Sequence, residues 1–81
     1  MIDLAYSLVI EATAKPNFFT FFSPDLRGFT GVGNSIEDCV WRAKSGMEDH
    51  VQLLKTAHLP IPRPRKNPRI TIQNAQLRRA G

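Results

Sequence analysis

The sequence predicts an α+β domain of order βββαβ, a small mixed sheet with one long helix packed across a single face. Three observations predict it. Between Ser35 and His58 the residues Ile36, Val40, Ala43, Met47, Val51 and Leu54 step by three or four, which at about 100° per residue makes one apolar stripe. Residues 3–11 alternate, with Leu4, Tyr6, Leu8 and Ile10 on one face and Ala5, Ser7, Val9 and Glu11 on the other. Short runs rich in strand formers, bounded by proline, glycine and asparagine, stand before the helix and after it.

Each element has a local reason. Ala12 to Asn17 forms a turn around Lys15-Pro16-Asn17, and Phe18-Phe19-Thr20-Phe21-Phe22 is short enough to be a strand. Its phenylalanines point both ways, so one face meets the helix and the other is a candidate interface. In Ser23-Pro24-Asp25-Leu26-Arg27-Gly28 the proline presets φ, Asp25 can bond its own backbone and Gly28 admits a left-handed angle. Phe29-Thr30-Gly31-Val32-Gly33 is a weaker strand whose glycines suggest a bulge or a close backbone approach. Ser35 reads as the helix N-cap, and Glu37 and Asp38 suit the positive end of the helix dipole. Twenty-four residues at 1.5 Å each would give a rod about 36 Å long. Leu59 to Pro68 is a proline-stiffened connector with four prolines, and Arg69-Ile70-Thr71-Ile72-Gln73 alternates again as a last strand. Residues 1–74 thus read as one domain and 75–81 as a basic, frayed tail.

Size and charge bound the function. A chain of 81 residues buries about 60% of its unfolded surface, and its core supplies about 3–5 kcal/mol, so a homodimer, a higher oligomer or a standing partner is expected. The net charge of +4 divides unevenly: residues 1–49 hold all seven acids and four bases, a net −3, whereas residues 50–81 hold seven bases and no acid. Such a skew suits a polyanion or an acidic protein surface. Cys39 is the only cysteine and reads as a small buried hydrophobe. No run approaches the roughly 18 apolar residues that cross a bilayer, and there is no basic leader. A soluble, unexported, cytoplasmic protein with no membrane partner is expected.

Catalytic chemistry finds little support. Glu37 and Asp38 diverge on the helix, and Asp3 and Glu11 stand about 26 Å apart along one strand. His50 and His58 lie two turns apart, too far to share a metal, and His50 falls at the edge of the stripe as a packed histidine. No enzyme activity, metal or cofactor is expected. Trp41 is the anomaly, about 140° from the centre of the stripe, where an aromatic serves as an interface anchor. The residues expected to bind a partner are Trp41, Phe19 and Phe21 on the sheet, and Arg63, Arg65, Lys66 and Arg69 on the connector.

Several of these features together resemble the HicB-like antitoxin family. They are a first strand ending in Val9-Ile10-Glu11, aromatic Phe18 and Phe19, the Pro24-Asp25-Leu26-x-Gly28 turn, the Gly33-Asn34-Ser35-Ile36-Glu37-Asp38 lead into the helix, and the exit Leu59-Pro60-Ile61-Pro62-x-Pro64. The resemblance covers about residues 3–73. It implies a partial ribonuclease-H-like fold without catalysis, an antitoxin domain that binds a HicA-type toxin and covers the active site of that messenger-RNA-cleaving ribonuclease. Full-length members add a C-terminal DNA-binding module, and this chain is expected to act without one. Arg27 stands where the family turn often has a second proline. The basic second half, unlike an antitoxin built to face a basic ribonuclease, leaves two other readings open. One is a small nucleic-acid-binding protein using its arginines on phosphates. The other is an inhibitor of some other protein, phage-borne for example, on the same scaffold.

Overall fold

A computed structural model describes residues 4–74 of the chain, so the expected tail, with Arg78 and Arg79, and Asp3 lie outside the described residues. The elements are β1 (Leu8–Ala12), β2 (Phe19–Phe22), β3 (Thr30–Gly33), α1 (Ile36–Thr56) and β4 (Ile70–Asn74). The sheet order is β3-β2-β1-β4, antiparallel between β1 and β2 and between β2 and β3, parallel between β1 and β4. This is the expected α+β fold of order βββαβ, with α1 as the crossover that a parallel β1–β4 pair requires. The helix lies over β1, β2 and β3.

The alternation along the first strand sets the core. Leu4, Tyr6, Leu8 and Ile10 are all buried, and with Phe21, Leu26, Phe29, Cys39, Ala43 and Met47 they form one cluster. The β-ladder, however, begins only at Leu8. Upstream of it the backbone is occupied otherwise: the Ser7 N–H donates to the Asp25 carboxylate at 2.9 Å, and the Ala5 carbonyl accepts from the Arg65 N–H at 2.8 Å. Side-chain parity therefore continues without strand pairing.

The helix keeps close to its expected limits because both ends are capped. The Ser35 hydroxyl accepts from the Asp38 N–H at 3.0 Å, while the Asp38 carboxylate accepts from Asn34 N–H at 3.0 Å and pairs with Arg42 at 2.8 Å. At the other end the Leu59 N–H donates to the Leu54 carbonyl and the His58 N–H to Lys55. That is a Schellman closure with His58 at φ 57°, the position glycine favours. The buried stripe is narrower than its sequence pattern: Cys39, Ala43 and Met47 are buried, Val40 and Val51 pack at the margin, and Ile36 is exposed.

Candidate binding surface

The connector between α1 and β4 is a strap fixed to the N-terminal segment. The Tyr6 hydroxyl donates to the Pro62 carbonyl at 2.6 Å, and Arg65 places Nε and Nη2 on one oxygen of Asp25 at 3.0 and 2.9 Å. The Arg69 N–H donates to the Ser7 hydroxyl at 3.0 Å, and the Leu8 N–H to the Arg69 carbonyl at 2.8 Å, which starts the β1–β4 ladder. The Arg65 hydrogen bond holds the Asp25 carboxyl below the usual carboxylate range against the opposing effect of burial, with help from the Ser7 N–H. The sequence expectation for Asp25, a turn bonded to itself, is therefore incomplete: its carboxylate joins three segments. A partner forty residues away leaves no local spacing signal.

The expected binding residues divide into three groups. Trp41 stands on the outward side of α1 and is 64% exposed. Arg63, Lys66 and Arg69 are exposed on the strap and at the start of β4, and their side chains make no ion pair among the described residues; Arg65 is exposed as well but is engaged by Asp25. Phe19 and Phe21 form the third group, and the structure corrects their role. Phe21 is only 5% exposed, its ring centroid 5.8 Å from that of Phe29, and Phe19 packs against the same core. In the hairpin register Phe21 pairs with Ile10 and Phe19 with Ala12, so both take the parity that faces α1. The opposite face of β2 carries Thr20 and Phe22 instead, both half-buried. Phe21, and in part Phe19, thus belong to the core, whereas Phe18 is 41% exposed.

The remaining candidates are also structural. Burial, and then the negative charge of Asp38, push the Cys39 thiol up, so it is a packed hydrophobe rather than a nucleophile. His50 lies edge-on to Phe29 at 5.8 Å with Nε2 3.2 Å from the Arg27 carbonyl. Glu11 is buried and accepts from the Gln73 amide at 2.9 Å. Among the described residues no three of His, Cys, Asp or Glu stand together as metal ligands, and no helix is long and apolar enough to cross a membrane. A cleft of about 460 Å³ runs between the N-terminal segment, the helix and the strap, lined by Leu4, Tyr6, Met47, Val51 and Pro64 and by the polar Lys44, Glu48, Asp49 and Gln52. The arrangement sets an exposed tryptophan, a fixed basic strap and a shallow cleft on the surface.

No family model, curated protein or solved structure matches this chain.

Proposed function

We propose that this chain is a non-catalytic, HicB-like antitoxin domain of the cytoplasm that binds a HicA-type, RNA-cleaving toxin and occludes its active site. The observation that carries the reading is Trp41, a largely exposed indole on the outward side of a helix that buries Cys39, Ala43 and Met47 in the core. An aromatic held out in this way costs apolar exposure that a partner would remove. The expected order βββαβ is also the order observed, and two of the motifs on which the resemblance rests meet in space, the Asp25 turn bonding Arg65 beside the proline exit. The toxin would cover Trp41 and the outward side of α1, not the phenylalanines of the sheet.

The test is co-expression with the protein encoded by the adjacent gene. Growth should be rescued and the two proteins should co-purify, while Trp41→Ala should weaken the complex by about 2 kcal/mol or more, the loss typical of a central aromatic anchor. A neighbour that is no toxin, or a pair that does not co-purify, refutes the proposal.

A further inference from the structure

We infer that the outer edge of β4 is a docking site for an extended protein segment in which apolar and acidic residues alternate. This site goes beyond the toxin reading and does not depend on it. β4 is the last strand on its side of the sheet among the described residues. In its parallel pairing with β1, Leu8 stands opposite Ile70 and donates to the Arg69 carbonyl. That register turns the backbone groups of residues 69, 71 and 73 toward β1 and those of Ile70 and Ile72 away from it, where no strand among the described residues meets them. Such a row of N–H and C=O groups is a template for one more strand.

The side chains define what that strand must carry. Ile70 and Ile72 share the helix-facing side with Leu8 and Ile10, but α1 covers the other three strands, leaving them 45% and 53% exposed. Arg69 and Thr71 alternate onto the opposite side, and Lys66 and Arg63 continue the positive charge along the strap. A fifth strand would lay apolar side chains beside the two isoleucines and acidic ones toward Arg69, in strict alternation. Natural edges are blunted by charge, proline or a bulge. Here Pro68 and Arg69 precede the strand, and Ile70–Asn74 contains none of the three.

Charge also selects the occupant. A second copy pairing through β4 would offer Arg69, Lys66 and Arg63 no acid, since residues 50–81 hold none. A nucleic acid would find cations but no stacking platform beside them, because no phenylalanine, tyrosine or tryptophan follows Trp41 in the chain. An acidic strand satisfies both the backbone and the charge.

The probe is a labelled ten-residue peptide of alternating valine and glutamate, titrated into the full chain at low and moderate salt. It should bind, with affinity falling as salt rises, and a valine–lysine peptide should not. The Ile72→Pro variant removes an outward N–H and leaves the β1 ladder intact, so it should keep its circular dichroism and lose at least tenfold in affinity. A Val–Glu peptide N-methylated at alternate residues tests the same hydrogen bonds without altering the protein and should lose as much. Paired Lys66→Glu and Arg69→Glu substitutions should also cost at least tenfold. Equal binding by the N-methylated peptide or by a folded Ile72→Pro variant overturns the inference. So does a chain that dimerises through this edge, or one that binds a single-stranded RNA oligomer and ignores the peptide.

Discussion

Replacing Gly31 with alanine tests the placement of the sheet aromatics in the core. Gly31 sits directly opposite Phe21 on the neighbouring strand, and a Cβ built there would lie 2.3 Å from the Phe21 Cζ and 2.7 Å from Cε1. Carbon atoms in contact keep about 3.5–4.0 Å apart, so the ring would have to move by more than about 1 Å. It has nowhere to go, being buried and tilted against Phe29 at 5.8 Å. Overpacking of this kind costs about 1–3 kcal/mol, and a pinned ring belongs at the upper end. Alanine returns about 0.4–1 kcal/mol by restricting the unfolded chain. The net loss is then about 2 kcal/mol, or a fall in Tm of about 8–16 °C for a domain of this size. Urea unfolding of Gly31→Ala, Phe21→Leu and the double variant provides the measurement. The smaller leucine should make room for the methyl, so the double variant should be more stable than the sum of its parts by about 1 kcal/mol or more. A Gly31→Ala change within about 0.5 kcal/mol of the parent, the scatter of an inert surface site, with no coupling to Phe21, would refute the packing argument and return the ring to the surface.

Two further substitutions probe the strap and the helix end. Asp25→Asn removes a carboxylate whose folded pKa is lowered chiefly by Arg65, a contribution present above the unfolded value near about 3.9 and lost as pH falls through the lower folded value. The stability gap between parent and variant should therefore be constant near neutral pH, at about 1 kcal/mol because Arg65 is well exposed, and should close below about pH 4, as read from denaturant midpoints across pH. His58→Gly relieves a side chain held at φ 57° and should raise stability by about 0.5–1 kcal/mol in a thermal melt; a loss would mean that the imidazole makes a contact worth more than the strain.

Much of the fold was legible because it is written in local periods. The step of three or four from Ile36 to Leu54, the cap at Ser35 and the prolines after His58 located the helix to within two residues at either end. Strands were placed to within a residue or so wherever ladder pairing follows alternation, and the first was drawn too long over Leu4 to Ser7, where alternation continues but the hydrogen bonds go elsewhere. The site was less legible. Trp41 stands out from the wheel alone, since its angle and its exposure say the same thing. Phe19 and Phe21 could have been placed by parity, because the hairpin sets Phe21 against Ile10, on the apolar face of the first strand. Gly31 opposite Phe21 was a second clue, a gap that a ring fills. The bond from Asp25 to Arg65 had no counterpart in the sequence, since nothing in the spacing of two residues forty apart tells that they meet.

That bond is one of several that bring β4 to the sheet, beside its ladder to β1 and the Gln73 bond to Glu11. Every residue of the strand except Gln73 is exposed, so little apolar burial holds it to the sheet. Its ladder to β1 lies on one edge only, so it has half the backbone pairing of an inner strand. The strap supplies the rest: Tyr6 on Pro62, Ala5 on Arg65, Asp25 on Arg65 and Ser7 on Arg69 fix the chain at four points before the strand begins. A strand ordered by its approach rather than by its own packing keeps both faces and one edge available. A partner that adds to it meets a backbone already extended, and so avoids most of the ordering cost that a flexible segment would impose on binding.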